Sequence, residues 1–239
     1  NMFYDSKLEP GLSVEEEIHR KAHHAVIRSY QGGVSLVSPD HHAYWIDSSS
    51  LHGTPAYETQ ARGSSKYNRL EAVLIAKMVQ QIDDSYRVAG VEKKVEIGII
   101  SFYAAQVREI RQEITKKCKL TCVSCDVNTV DRFQGKEKPI VIVSLVRNVK
   151  AGKKYDATYV KAYQRINVAV SRAQNLLLLV GAKDMYIDQE IPMEDMETGK
   201  PSEPQYVYRN MIEKLNMRGC FITADDLLSH DAGAEVFES

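Results

Sequence analysis

The sequence predicts an α/β fold in which a largely parallel sheet is covered by helices on both faces. Three observations predict it. The chain has 239 residues and 44% hydrophobic content, enough to bury a sizeable core. Runs rich in Val, Ile and Leu recur at Val95–Phe102, Lys138–Val146 and Asn175–Gly181. Stretches with helical spacing separate them, and that alternation is the signature of a sheet buried on two sides.

Taken in order, residues 1–12 read as an incoming extended arm. Ser13 stands before Glu15, Glu16 and Glu17, an acidic helix start, and that helix is expected to reach Ser29. "VSLV" (34–37) and "AYWID" (43–47) are strand candidates, divided by the turn-like "SPDHH". Residues 48–66, rich in Ser and Gly, read as a loop. Leu70, Val73, Leu74, Met78, Val79 and Ile82 recur at helical spacing within Ser65–Tyr86. A strand is expected over Val95–Phe102, a helix over Tyr103–Lys116, and strands over Lys119–Ser124 and Lys138–Val146. "YQRINVAVSRA" reads as a helix and "NLLLLVG" as the final apolar strand. Residues 188–204 carry prolines and acids and read as a linker or surface loop. A last helix follows in Gln205–Gly219, with Gly219 as its stop. No internal repeat is visible. The expected organisation is one large domain over 1–185 and a linker with a helical extension over 186–239.

A formal net charge of -1 excludes a general polyanion sponge but leaves room for a local basic patch. Lys136, Lys138, Arg147, Lys150, Lys153 and Lys154 crowd one region, with Glu137 among them; a solvated lysine loop explains the same run. No stretch has the apolar length of a membrane span, and no secretory pattern is seen. Cys118, Cys122 and Cys125 cluster while Cys220 is distant, an incomplete set for zinc. They are expected to be reduced cysteines of an intracellular protein, cytoplasmic or nucleoid-associated. The opening "NMFYDSKLEP" suits a part of something longer.

The chemistry begins with what is missing. No G-x-x-x-x-G-K-[ST] phosphate loop occurs, and no strand ends in paired acids. In a parallel sheet, function collects beyond the carboxyl ends of the strands, which makes Ser101, the "TVDRFQG" turn and the surroundings of "VAVSRA" potential neighbours. In "TVDRFQGKE", Thr129 offers a hydroxyl and a backbone N–H to a phosphate. Asp131 suits a turn-orienting acceptor, Gln134 both donates and accepts, Gly135 permits close backbone approach, and Glu137 suits a ribose hydroxyl. A decorated strand entry with Asp131 as its cap is the plain alternative. Arg165 and Arg172 lie seven residues apart, about two helical turns, a spacing that could put them on one face. An arginine at a domain edge can stabilise charge developing in phosphoryl transfer; two ordinary salt bridges are the alternative.

"TVDRFQGKEKPIVIVSLVR" closely resembles motif V of superfamily 1 helicases, and "RINVAVSRAQNLLLLVG" resembles their motif VI. "GIISFYAAQ" is similar to the motif IV region, "SKYNRLEA" to the segment before it, and "MFYDSKL" to the sequence after a QYRMHP-type motif. Residues 1–185 are thereby similar to the C-terminal helicase lobe shared by the nonsense-mediated-decay helicase and the replication helicase–nucleases. The resemblance implies a RecA-like, three-layer lobe of the P-loop-hydrolase type, lacking its own Walker A loop. It implies that Arg172 reaches the γ-phosphate of ATP, that Arg165 supports the nucleotide side of the cleft, and that Gln134 and Gly135 form the coupling turn. Glu137 would help hold the nucleotide. Thr129, Val130, Asp131 and Ser101 match positions near a bound single strand of DNA or RNA. Asn68 and Glu71 match an N-x-x-E-A segment, with Asn68 among the strand-binding candidates. Arg132 stands where many relatives carry serine, and is expected to grip a phosphate or to pair with Asp131.

ATP with magnesium would then bind between this lobe and a first lobe that supplies the phosphate loop and the metal ligands; no metal site is expected in this chain. Hydrolysis would release Arg172, the lobes would part, and the motor would step 5′ to 3′. Alone the lobe is expected to be inactive. The alternatives are a non-catalytic binding module derived from such a lobe, and a small-ligand enzyme on a doubly wound sheet, which lacks the Gly-rich turn of that class. His19 and His23 have no glutamate between them to complete a zinc hydrolase motif, and Trp45 suits the core better than a stacking role. Tyr103 is the better stacking candidate. No nucleophile elbow and no nuclease-like carboxylate cluster is present.

Overall fold

The structure is a computed structural model and describes residues 22–51, 56–150, 163–194 and 200–228. Its strands are β1 (Ile27–Arg28), β2 (Ser35–Val37), β3 (Ala43–Asp47), β4 (Thr59–Gln60), β5 (Lys66–Tyr67), β6 (Val95–Ser101), β7 (Val123–Thr129), β8 (Lys138–Ser144), β9 (Ala173–Gly181), β10 (Ile191–Glu194), β11 (Pro201–Gln205) and β12 (Phe221–Thr223). Its helices are α1 (Arg69–Val88), α2 (Ala104–Lys117), α3 (Tyr163–Val170), α4 (Lys183–Tyr186), α5 (Val207–Met217) and α6 (Ala224–Leu227), with a 3-10 turn at Val130–Phe133.

Six strands form one sheet in the order β12-β3-β9-β8-β6-β7, and every pairing in it is parallel. The apolar runs divide by the two-residue period of a strand. Ile97, Ile99, Ile140, Ile142, Leu176 and Leu178 face a core formed with α1 and α2. Ile100, Val141, Val143 and Leu179 face a second core formed with α3, α4 and α5. Two apolar faces explain why these strands do not alternate with polar residues. The result is a three-layer α/β domain of RecA-like, P-loop-hydrolase type, as the resemblance implied.

Register fixes which residues share an end of the sheet. Ser101 pairs with both Thr129 and Ser144, and Ser144 pairs with Val180, so these four mark the carboxyl end. Lys138 pairs with Ala173 at the amino end.

Several expectations are corrected. The helix expected through Ser29 is not seen over its described part; residues 13–21, with His19, lie outside the described residues, as do the 1–12 arm, Lys153 and Lys154. His23, Ala25 and Ile27 are buried at every second position, an extended pattern. The extended segment lies against α1, where Val26 N–H donates to Ser85 Oγ (3.2 Å) and Arg28 N–H to Gln81 Oε1 (2.7 Å). The strand expected from Lys119 starts at Val123, because Asp83 of α1 accepts from the N–H groups of Thr121 (2.8 Å), Cys122 (2.7 Å) and Val123 (2.9 Å) and pins the approach as a turn. The 48–66 loop contains β4, whose antiparallel partner β5 starts at its last residue. The 188–204 linker contains β10, antiparallel to β11, with Ile191 and Met193 buried. Gly219, at φ 69°, ends the segment after α5 as expected, but β12 then joins the main sheet beside β3. The 175–181 strand is therefore not the last.

Candidate functional site

The candidate residues fall at two ends of the sheet, joined by one crossing turn. That turn runs from Thr129 at the carboxyl end of β7 to Lys138 at the amino end of β8, passing β6 on the way. Phe133 is fully buried against Gly98 of β6; a Cβ on Gly98 would lie 2.6 Å from Phe133 Cζ and 3.0 Å from Lys138 Cγ. Only a glycine lets the turn lie this close to the strand. Beyond Phe133, Gln134 and Gly135 are exposed, and Gly135 takes a left-handed φ of 78°.

At the amino end, the crossing turn delivers Glu137 beside the start of β9. Lys138 N–H donates to the Arg172 carbonyl (3.0 Å), and Gln174 Nε2 donates to Glu137 Oε2 (3.4 Å). Arg172 is half-buried on this rim. Its Nε donates to the Val168 carbonyl (3.1 Å) and its Nη2 to Ser171 Oγ (2.9 Å). Both partners are neutral, and among the described residues no carboxylate forms an ion pair with Arg172. Among the described residues, the guanidinium is therefore oriented without being neutralised.

Arg165 is placed differently. It lies in the first turn of α3, and its Nη2 meets Asp131 Oδ2 at 3.2 Å. Arg172 lies two residues past the end of α3, so the two arginines do not share a helix face. Asp131 pairs with Arg165 rather than with Arg132, which is exposed.

At the carboxyl end, Tyr103, Thr129, Asp131 and Arg147 help line one groove of about 500 Å³, together with Ser64, Ser65 and Lys66. Ser101, Asn68 and Val130 do not reach it with their side chains. Ser101 is fully buried and its Oγ donates to the Ser144 carbonyl (3.2 Å). Val130 is 1% exposed, in the second core. Asn68 is fully buried as the N-cap of α1: its Oδ1 accepts from Glu71 N–H (3.1 Å) and its Nδ2 donates to the carbonyls of Ala56 and Val146. The only residues of the expected strand-binding set open to solvent at this end by their side chains are therefore Thr129, Asp131 and Arg132, with Tyr103 forming the wall.

Sequence reasoning named Glu71 without seeing its work. It is fully buried, accepts from Ser144 Oγ (2.6 Å), and accepts from Val146 N–H at both oxygens (3.0 Å each). Val146 sits at a φ of 73°, costly for a β-branched residue. The Glu71 clamp holds that turn, and burial raises the carboxyl's pKa to about 8 against the opposing hydrogen bonds. The turn aims Arg147 at the groove, where its Nε meets Glu58 Oε2 at 2.5 Å and its Nη1 donates to the Tyr103 hydroxyl (3.4 Å). Glu58, Lys66 and Arg147 escaped the sequence reading as a group because Arg147 lies 89 residues beyond Glu58, although Glu58 and Lys66 are eight apart. The expected lysine patch is dispersed: Lys136 pairs with Asp126, Lys138 with Glu96, and Lys150 lies over the Tyr57 ring. The four cysteines are free thiols, and no cluster of metal-ligating side chains is found among the described residues. Nor is any described helix long and apolar enough to cross a membrane. Trp45 is in the core, with Nε1 donating to the Gly181 carbonyl (3.2 Å).

A RecA-like sheet that carries the helicase-like motifs at its two ends defines a helicase-type domain. A family profile described as an AAA domain matches residues 1–184, and the chain belongs to that family. It is 36% identical over 117 residues to the DNA polymerase alpha-associated DNA helicase A of Saccharomyces cerevisiae, covering 49% of this chain and 16% of that protein. It is 29% identical over 180 residues to Helicase sen1 of Schizosaccharomyces pombe, covering 75% of this chain and 9% of that protein. It is 36% identical over 127 residues to the DNA replication ATP-dependent helicase/nuclease DNA2 of Xenopus laevis, covering 53% and 11%. The matched segments thus span between 9% and 16% of these relatives.

Proposed function

We propose that this chain is the second motor lobe of an ATP-dependent helicase of superfamily 1, moving 5′ to 3′ on single-stranded DNA or RNA. The observation that carries the reading is the state of Arg172: half-exposed on the amino rim, held by two neutral acceptors, its charge unmatched by any carboxylate among the described residues. An arginine finger needs this state, because its charge must remain available for the phosphoryl oxygens of a partner-held nucleotide. Glu137 and Gln174, already bonded to each other on the same rim, supply an acceptor for ribose hydroxyls. The relatives, a DNA replication ATP-dependent helicase/nuclease among them, support the same assignment.

ATP is bound mainly by a first lobe that carries the phosphate loop and the magnesium ligands. When the lobes close, Arg172 meets charge at the terminal phosphoryl group, and loss of that group after hydrolysis removes its anchor. The crossing turn, packed through Phe133 on Gly98 of β6, links this rim to the strand end of the sheet, so closure at one end changes the grip at the other.

The test is ATP hydrolysis by this chain alone and by a polypeptide that joins it to a first lobe. The chain alone is expected to be inactive, and the joined lobes to hydrolyse ATP faster when single-stranded nucleic acid is added. Hydrolysis by the chain alone, or joined lobes indifferent to the strand, would contradict the proposal.

A further inference from the structure

We propose that Gln106 is a positioning residue of the strand groove: through Ser144 it fixes the start of α2, whose Tyr103 and Ala104 wall the groove, against the end of β8. The inference rests on the strand-binding reading above and names what holds that site in shape.

Polar side chains are costly to bury, yet five of them are fully buried at this one end of the sheet: Asn68, Glu71, Ser101, Gln106 and Ser144. Each is hydrogen-bonded to another of the five, so they form one network. Gln106, in the first turn of α2, uses its whole amide. Its Oε1 accepts from Asn68 N–H (2.7 Å), and its Nε2 donates to the Asn68 carbonyl (3.1 Å) and to Ser144 Oγ (3.0 Å). The amide has one orientation only, because the reverse would set its two donors against Asn68 N–H. Ser144 Oγ carries the chain onward by donating to Glu71 Oε2 (2.6 Å).

Ser144 is the junction. Its carbonyl accepts from Ser101 Oγ (3.2 Å), and Ser101 Oγ accepts from Tyr103 N–H (3.4 Å). The N-cap residue of α2 is thus tied to β8 by one route and the first turn of α2 by the other. Together they set where Tyr103 stands relative to Thr129, which lines the same groove. On the outer side, Ser65 Oγ accepts from Ala105 N–H (2.9 Å), so the loop wall of the groove also depends on this helix start. A fully satisfied polar network specifies one arrangement, where apolar packing tolerates several. A groove that meets successive nucleotides at set distances needs that single arrangement. The sequence reading placed Ser101 and Tyr103 at the strand and gave Gln106 no role, since its partners lie 38 residues away on either side.

The experiment is steady-state ATP hydrolysis by joined lobes carrying Ser144→Ala, Gln106→Met or both, titrated with single-stranded dT and U oligonucleotides. Each single variant is expected to raise the strand concentration at half-stimulation about tenfold, with strand-free hydrolysis and kcat at saturating strand within about twofold of wild type. The double variant is expected to match Gln106→Met, because both changes cut one link. Thermal melting checks folding, and Ser144→Ala, which loses only a hydroxyl, carries the test if Gln106→Met does not fold. Folded variants whose half-stimulation is unchanged, or whose kcat falls while it stays unchanged, would overturn the positioning role and leave the motor proposal standing. Fully additive effects in the double variant would show that the two residues act separately and overturn the link. Wild-type joined lobes indifferent to the strand would overturn both proposals.

Discussion

At the scale of single residues, charge is managed in three ways within one domain. Arg165 and Arg147 are each matched to a carboxylate, Arg172 is steered by neutral acceptors, and Glu71 is held in the interior with its pKa raised to about 8. Glu71 gives a pH prediction whose sign follows from proton uptake. Between the unfolded value of 4.5 and about 8 the folded state holds the Glu71 proton more tightly than the unfolded state does. Stability from this group is therefore complete below the unfolded value and declines as pH rises through about 8. Glu71→Gln keeps an acceptor for Val146 N–H and removes the titration. The difference in melting temperature between Glu71→Gln and wild type should move in the variant's favour from pH 5 to pH 9. A difference that is flat with pH would mean that Glu71 is ionised in the fold throughout. The motif reading could name Glu71 but not this role, because the role depends on a strained turn 75 residues away in the chain.

Among the elements, the strands were legible wherever two-sided burial wrote a long apolar run, as in β6, β8 and β9. The polar edge strand β7 was misjudged, since "CDVNT" carries no such run and its start is set by a distant side chain, Asp83. The same holds for the 22–28 segment. Its alternation of His23, Ala25 and Ile27 was present in the sequence, but the acidic helix start upstream outweighed it. The β10–β11 hairpin and β12 were hidden by short length and by proline and acidic content. Within the site, order along the chain found both arginines and the crossing turn, while spacing alone allowed Arg165 and Arg172 a shared helix face that they do not have. The crossing turn supplies the prediction at this scale. Gly98→Ala leaves β6 intact but forces Phe133 and Lys138 aside, at a cost of about 1–3 kcal/mol. Joined lobes carrying it should bind ATP and strand separately with near-normal affinity yet lose most strand stimulation of hydrolysis. Full stimulation in that variant would show that the turn does not couple the two ends.

For the whole molecule, the parallel sheet separates the two proposed tasks by its length. Under the proposed function, the amino rim with Arg172 and Glu137 would serve the nucleotide, and the Tyr103–Thr129 groove at the carboxyl end would serve the strand. The three-layer core makes that separation rigid, since both faces of every central strand are packed. Membership of the AAA domain family covers residues 1–184, yet β12 beyond that span completes the sheet edge beside β3. The division of labour is tested most directly by steady-state hydrolysis in joined lobes carrying Arg172→Ala, measured across strand concentrations. Its kcat is predicted to fall about a thousandfold or more, with the strand concentration at half-stimulation within about twofold of wild type, and Arg172→Lys is predicted not to restore it. A variant that keeps its kcat and instead needs far more strand would contradict the account, placing Arg172 on the nucleic acid and not on the phosphoryl group.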